Sequence, residues 1–104
     1  MKQAKYDINV QVGRSFNQLF IFDYDIADLT FTSQIKDTDG NLITSFLISK
    51  DNAAKSIVMG LSEVQTNLLT FNYSYVYDLK QVDNTLNSVS PFGGVLNLYG
   101  TVTN

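Results

Sequence analysis

The chain has 104 residues, 44% of them hydrophobic, and a formal net charge of −3 from seven basic and ten acidic side chains. This length and composition predict one folded domain, and the scattered Lys and Arg residues argue against nucleic-acid or anionic membrane partners. The absence of Cys and His excludes disulfides and Cys-based zinc sites, and it removes the commonest general base and metal ligand.

No targeting or membrane segment is expected. The first residues, MKQAKYDINVQVG, contain no continuous apolar core of the kind found in secretion signals. No apolar run approaches the roughly 20 residues that a membrane-spanning helix needs. The sequence therefore predicts a soluble chain with no cofactor and no metal ion.

The first third of the chain alternates apolar and polar residues with the two-residue period of a strand that is buried on one face. This period predicts a strand over 6–12, which Gly13 ends with a turn. A Phe-rich and Ile-rich segment predicts a more buried strand over 15–23. The Asp-rich segment 23–30 connects it to a third strand over 31–36.

A tight hairpin turn is predicted in DTDGN (37–41), because its Asp-Gly dipeptide favours positive φ. The alternation in LITSFLIS then predicts a single fourth strand over 42–49. A polar loop over 50–55 follows, and it leads to a fifth strand over 56–61.

The stretch LSEVQTNLL (61–69) interrupts the two-residue period. Ser62 followed three residues later by Gln65 is the pattern of a capping box. It predicts a short helix over 62–69 that crosses from one sheet to the other and closes an end of the core. Its apolar face is expected to consist of Val64, Leu68 and Leu69.

The last third returns to strand patterning. A strand is predicted over 71–79, a turn-rich segment over 81–94 with a short strand near 85–89, and a closing strand over 94–103. Seven or eight short strands separated by turns are typical of an antiparallel β-sandwich or a small barrel. The fold class is therefore all-β, as one domain over residues 1–104.

Two acidic clusters have alternative interpretations. Asp23, Asp25 and Asp28 could offer oxygen ligands to calcium, and 37–41 resembles the start of a calcium-binding loop. The second segment lacks the later ligands and the closing glutamate of such a loop. A solvated connection and a hairpin turn explain both clusters without a metal, and we favour that interpretation.

Aromatic and acidic residues also raise the question of a ligand site or an active site. Tyr73, Tyr75 and Tyr77 could form an aromatic platform for sugars or bases, but a row with this period is more often half of a core. Glu63 is the only glutamate, so a pair of carboxylates for glycoside hydrolysis is not expected. With few tunable catalytic groups, the sequence predicts a protein that is not an enzyme.

Four stretches, read in order, resemble a family of small bacteriophage virion proteins. They are YDINVQVGRSF, DLT before a strand, IVMGLSEVQTNLL, and YSYVYDLK with a terminal GTVT. The chain departs from the family pattern at Phe31, where a glycine usually follows DLT, and in a longer 81–94 loop. The matching positions are Tyr6, Asp7, Ile8, Gly13, Phe16, Asp28, Leu29, Thr30, Ile57, Met59, Leu61, Ser62, Thr66, Leu69, Tyr75, Tyr77, Asp78, Leu79, Gly100 and Val102.

The resemblance implies an immunoglobulin-like β-sandwich with a structural place in the virion, made in the cytoplasm of the bacterial host. Its partners would be other phage structural proteins, with many copies per particle. Capsid decoration and a neck, tail or upper-baseplate adaptor are not distinguished by these residues.

The expected contact surfaces are sheet edges and loops, because an edge strand can pair with a neighbouring subunit. The candidates are the polar face of 7–11 and the terminal strand 94–103. The alternative function is a carbohydrate- or receptor-binding module that uses the tyrosine row and the 81–94 loop. The candidate partner-binding residues are Asp7, Asn9, Gln11, Val95, Asn97 and Tyr99.

Overall fold

The structure, a computed structural model, describes residues 4–70 and 74–99. Within these residues the chain forms ten β-strands and one short helix. None of the described residues belongs to a helix long and apolar enough to cross a lipid bilayer. The elements are β1 (Ala4–Lys5), β2 (Ile8–Gln11), β3 (Phe16–Ile21), β4 (Thr30–Asp37), β5 (Leu42–Ser45), β6 (Leu47–Asp51), β7 (Ser56–Leu61), α1 (Glu63–Thr66), β8 (Tyr75–Val82), β9 (Ser88–Val89) and β10 (Phe92–Tyr99).

The strands form two sheets. The large sheet has the order β1-β10-β8-β4-β5, with β2 also beside β10 and β9 beside β8, and the small sheet has the order β3-β7-β6. Pairing is antiparallel except that β1 and β2 run parallel to β10. Ala4 lies opposite Phe92 and Ile8 opposite Leu96, so β1 and β2 share one register and form one interrupted edge strand.

This strand order is that of an immunoglobulin-like sandwich, and the prediction of that fold is confirmed. The hydroxyl of Tyr75, near the start of β8, accepts a hydrogen bond from the backbone N–H of Thr70 at 3.1 Å. That contact is the tyrosine corner of immunoglobulin-like domains. Two residues later, Tyr77 stands where antibody domains carry the second cysteine of their disulfide.

The core lies between the sheets and is filled by alternate residues of each strand. Tyr77 joins its aromatic part, with ring centroids 5.7 Å from Phe46 and 6.4 Å from Phe92. Packed aromatic rings therefore fill the place of a cross-link in this cysteine-free chain. The most deeply buried side chains are Val10, Ile26, Ile35, Ile57, Met59, Thr66, Leu69 and Leu79.

The predicted capping box is present at the start of α1. The backbone N–H of Gln65 donates to Ser62 Oγ at 3.2 Å, and the backbone N–H of Ser62 donates to Gln65 Oε1 at 2.9 Å. The predicted apolar face is wrong, because Val64 is 74% exposed and Leu68 is 50% exposed. Only Leu69 of the expected residues reaches the core.

Two predicted strands differ from the structure. The segment 42–49 is two strands, because the chain leaves the large sheet after Ser45 and enters the small sheet at Leu47, with buried Phe46 between them. Gln65 holds this crossing, since its side-chain amide donates to Ser45 O at 2.6 Å and Thr44 Oγ1 at 3.0 Å. The strand expected to be more buried, β3, alternates between half-buried and exposed residues.

Two hairpin turns of the large sheet share one hydrogen-bond pattern. In the turn 37–41, the carboxylate of Asp37 accepts the backbone N–H groups of Asp39 and Asn41, and Gly40 has φ +87°. In the turn 83–87, Asp83 accepts the corresponding N–H groups of Thr85 and Asn87. The predicted Asp-Gly turn is confirmed, and the short strand expected near 85–89 is β9, at 88–89.

Candidate interaction surface

The outer face of the large sheet carries most of the residues that the sequence analysis predicted to bind a partner. In the parallel pair of β2 and β10, Asn9 lies opposite Asn97 and Gln11 opposite Tyr99. Their neighbours Ile8, Val10 and Leu96 are buried, so the four polar or aromatic residues point away from the core. Val95 shares their side of β10, because it is two residues from Asn97.

Asp7, the sixth nominated residue, is engaged within the chain. Its Oδ1 accepts the backbone N–H of Val95 at 2.9 Å, and its Oδ2 lies 3.8 Å from Lys5 Nζ. The chain can approach β10 this closely because residue 94 is glycine, where a Cβ would stand 2.5 Å from Tyr6 O. Asp7 therefore bridges the interruption between β1 and β2.

The structure also distinguishes edge from interior strands. Over Phe92–Tyr99 the nominated terminal strand is β10, which lies between β8 on one side and β1 and β2 on the other. It is not an edge strand, so only its side chains are offered to a partner. In the described residues the edges of the large sheet are β1 with β2, β5, and the two-residue β9, which pairs only with β8. Residues 100–103 of the predicted closing strand lie outside the described residues.

A shallow groove continues this face across β8 and β4. Two adjoining depressions of about 480 and 460 Å³ form it, and both are lined by Gln34, Lys36 and Asp78. Val76 and Val95 contribute apolar surface to the first depression. The second extends past β9. We refer to these two depressions together as the groove.

Lysines outnumber acids in the groove. Lys5 and Lys36 line the first depression, and Lys36 and Lys80 line the second, whereas Asp78 is its only carboxylate. Asp78 forms no salt bridge in the described part of the chain, where the one ion pair within 4.0 Å joins Lys5 to Asp7. Asp7 pairs with Lys5 at the rim, so the groove and its rim have three lysines against two aspartates, a small positive excess on a chain whose net charge is negative.

One end of the sandwich, which we call the loop end, is formed by segments 22–29, 51–55 and 83–87. Hydrogen bonds join these segments to one another and to the neighbouring strands. The N–H of Phe22 donates to Lys55 O at 2.8 Å, and the hydroxyl of Tyr24 donates to Gln81 Oε1 at 2.7 Å. Burial, and then the charge of Asp23, raises the pKa of Tyr24. The loop end carries the aspartates Asp23, Asp25, Asp28, Asp51 and Asp83.

These aspartates do not converge. Within residues 4–70 and 74–99, no group of three or more acidic side chains is arranged to hold a metal ion. Asp25 instead accepts the backbone N–H of Ala27 at 3.0 Å, as in a local turn. The calcium interpretation of 37–41 gains no support either, because the carboxylate of Asp37 accepts hydrogen bonds from its own turn. Those bonds, chiefly from Asn41, lower the pKa of Asp37.

A lysine side chain orders the longest of these segments. Lys50 Nζ on β6 donates to the backbone carbonyls of Leu29, Ala27 and Ile26 at 2.7, 3.1 and 3.2 Å. Three carbonyl dipoles around one ammonium are a strong local arrangement. Lys50 therefore ties β6 to the 22–29 connection, a role that nothing in the sequence pattern indicated.

The tyrosine row belongs to the core. Tyr75 and Tyr77 are 3% and 4% exposed, and the Tyr77 hydroxyl donates to the backbone carbonyl of Tyr6. Burial, and then Tyr6 and Asp7, raise the pKa of Tyr77 well above its usual range. Tyr73 lies outside the described residues. An aromatic binding platform of Tyr75 and Tyr77 is therefore wrong, because neither ring reaches solvent.

The groove itself was missed in the sequence, although a signal for it exists. The outward positions of β4 and β8 are polar or charged at nearly every second residue, namely Thr32, Gln34 and Lys36, and Asp78 and Lys80. That alternation indicates strands but does not by itself indicate a groove. Which outward residues share one groove depends on the pairing of distant strands, which the pattern does not specify.

Comparisons with known proteins give no assignment. No protein-family model matches the chain, and no curated protein matches it.

Proposed function

We propose that this protein is a bacteriophage virion structural or accessory protein that binds other virion subunits through the outer face of its large sheet. The observation that carries the binding role is that this face, from β2 across β10 and β8 to β4, exposes Asn9, Asn97 and Asp78 and contains the groove. Polar and charged side chains interspersed with a few apolar ones are typical of the surfaces of non-obligate interfaces.

The place in a virion rests on the order of the four sequence stretches described above. The immunoglobulin-like sandwich agrees with the fold that the resemblance implies, but the fold alone carries many functions. In the described residues every buried side-chain nitrogen and oxygen has a hydrogen-bond partner.

The first experiment asks whether the protein is part of a particle. Particles from induced cultures of the source strain are purified on a density gradient and digested for mass spectrometry. We expect peptides of this chain to co-purify with the major capsid or tail proteins at a fixed ratio. Their absence from intact particles contradicts the proposal.

The second experiment asks which face binds. Asn9→Arg with Asn97→Arg places two long cations on the outer face of the large sheet, where these residues lie side by side. Leu19→Arg with Ser49→Arg does the same on the outer face of the small sheet, where both flank Val58. We expect the first pair to reduce incorporation into particles at least tenfold and the second pair to leave it near normal. Equal incorporation of both variants contradicts the assignment of the face.

The alternative is a carbohydrate- or receptor-binding module that uses the tyrosine row and the 81–94 loop. Two of the three rings expected to form its platform, Tyr75 and Tyr77, are buried, and Tyr73 lies outside the described residues. No observation on the 81–94 segment favours a sugar over a protein.

A further inference from the structure

Leu86 is the most exposed large apolar residue among those described, at 84%. It occupies the tip of the 83–87 turn with φ +66°, in the left-handed region. Residues other than glycine adopt this region at a cost, and Asn and Asp tolerate it better than Leu does. The matching position of the 37–41 turn is Gly40. The turn itself therefore does not require a leucine, and a contact outside the chain would explain it.

The surroundings of Leu86 define the chemistry of that contact. It lies at the loop end, whose three segments contain five aspartates and one lysine, Lys55. The neighbouring Lys50 adds little free charge there, because its ammonium is held by backbone carbonyls. Ile21, the last residue of β3, adds a second apolar side chain at this end and is 72% exposed. A partner for this end would offer a small apolar depression surrounded by cations.

The groove of the same protein is complementary in both respects, because it has apolar surface and its three lysines outnumber its one lining carboxylate, Asp78. In the first depression, Val76, which is 40% exposed, and Val95 provide apolar surface beside Lys5 and Lys36. Lys80 continues the positive charge into the second depression. One chain cannot make this contact with itself, because Leu86 lies beyond the end of β8 while Val76 is in the second position of that strand.

We propose that the loop end of one copy docks into the groove of a second copy, with Leu86 seated against Val76 and Val95. The aspartates of the loop end then lie opposite Lys36 and Lys80. Opposite charges on the two surfaces favour this pairing and disfavour loop end against loop end. The interface is heterologous, since each copy uses a different surface for each of its two neighbours, so it builds rings or filaments rather than a closed dimer.

This inference goes beyond the proposed function and does not depend on it, because it concerns the purified chain alone. Sedimentation velocity is measured from 5 to about 500 μM at 50 mM and 500 mM NaCl. We expect concentration-dependent association at low salt that weakens at high salt, because exposed charges are screened over about 10 Å at 0.1 M. A chain that stays monomeric throughout this range at low salt overturns the inference.

Two variants then remove one surface each. Leu86→Gly deletes the anchor at a position where glycine is conformationally favoured, and Val76→Asp places an acid in the groove. We expect each variant alone to associate at least tenfold more weakly than the unmodified chain. Leu47→Asn, at a residue that is 61% exposed on β6, is the control and should associate normally. Thermal unfolding followed by circular dichroism verifies that each variant is folded.

Mixing the two variants gives the decisive result. Leu86→Gly retains an intact groove and Val76→Asp retains an intact loop end, so together they should form a discrete 1:1 complex that grows no further. If the mixture does not form that complex, the docking of the loop end into the groove is overturned. If the Leu86→Gly variant associates as strongly as the unmodified chain, Leu86 is not the anchor of the interface. If Val76→Asp does not fold, Lys36→Met with Lys80→Met replaces it as the groove variant, with the same expected outcomes.

Discussion

Thr66 is fully buried, and its hydroxyl links helix α1 to the turn between β2 and β3. The hydroxyl accepts the backbone N–H of Gly13 at 3.1 Å and donates to Glu63 O at 3.1 Å. A helix of four residues has little stability of its own. The capping box begins this helix, and Thr66 attaches it to the turn between β2 and β3. One buried polar residue therefore fixes the connection from β7 of the small sheet to β8 of the large sheet.

Thr66→Val should destabilise the protein by about 1–3 kcal/mol, because it leaves the Gly13 N–H without its buried acceptor. The matched control is the opposite substitution, Val to Thr, at an exposed position of the same helix. Val64→Thr should change stability by less than about 0.5 kcal/mol, since Val64 is 74% exposed. Urea denaturation of both variants tests the pair, and equal losses of stability would show that the Thr66 hydroxyl has no special role.

Protonation of Asp37 and Asp83 at low pH should reduce the stability of the folded protein. Hydrogen bonds from Asn41 to Asp37, and from Thr85 and Asn87 to Asp83, lower the pKa of both carboxyls. Because the folded pKa is below the unfolded one, the unfolded chain takes up protons first as the pH falls. The stabilisation is fully present above pH of about 5 and is lost as the pH falls through the folded pKa values.

The measurement is the melting temperature between pH 7 and pH 2.5. Asp37→Asn with Asp83→Asn retains an acceptor oxygen in each turn and removes the titration, so its melting temperature should fall less steeply below pH 5. Asp39→Asn with Asn84→Asp alters exposed residues of the same turns and should retain the original slope. Identical slopes for all three proteins would contradict the prediction.

Among the elements, the 22–29 connection depends on Lys50. Lys50→Met retains the apolar stem but removes the three ammonium hydrogen bonds, so we expect a loss of about 1–2 kcal/mol. Amide hydrogen exchange should rise over residues 26–29 more than elsewhere. Lys36→Met is the control, because the Lys36 ammonium has no hydrogen bond or ion pair within the described residues. A uniform rise in exchange across the protein would contradict a local role for Lys50.

The strand patterns in the sequence predict most elements because burial on one face forces a two-residue period. The capping box predicted α1 because its two hydrogen bonds are local. The division of segment 42–49 into two strands at Phe46 could not be predicted from such local patterns. Leu42, Thr44 and Phe46 alternate as one strand would, and the sheet change is held by Gln65, which is remote in sequence.

The interaction surface was only partly predictable, for a related reason. Asn9, Gln11, Asn97 and Tyr99 were correctly placed on the solvent side of their strands, because that follows from alternation within each strand. The groove needs the register that brings Gln34 opposite Asp78. The exposure of Leu86 depends on the turn geometry, and no short-range pattern distinguishes it from a core leucine.

In the molecule as a whole, the edge strand β1–β2 is joined to the rest through β10, and Gly94 determines how closely they approach. Gly94→Ala should cost about 2–3 kcal/mol, because the new Cβ would stand 2.5 Å from Tyr6 O and the backbone must move. Gly60→Ala is the control, since its nearest contact, at 2.7 Å, is the movable side-chain end of Asn17. We expect a cost of about 1 kcal/mol there. Thermal unfolding tests the difference, and a reversed order of the two variants would contradict this account.

The parallel pairing of β2 with β10 also determines when the sandwich can be completed during synthesis. Asp7 and Val95, which are joined by a hydrogen bond, lie 88 residues apart in sequence. The apolar side of β2 therefore has no neighbour in its sheet until Phe92–Tyr99 has emerged from the ribosome. Contacts this distant in sequence slow folding. A nascent chain must therefore keep Ile8 and Val10 unpaired for most of translation, and a prematurely terminated product would present them to chaperones and proteases.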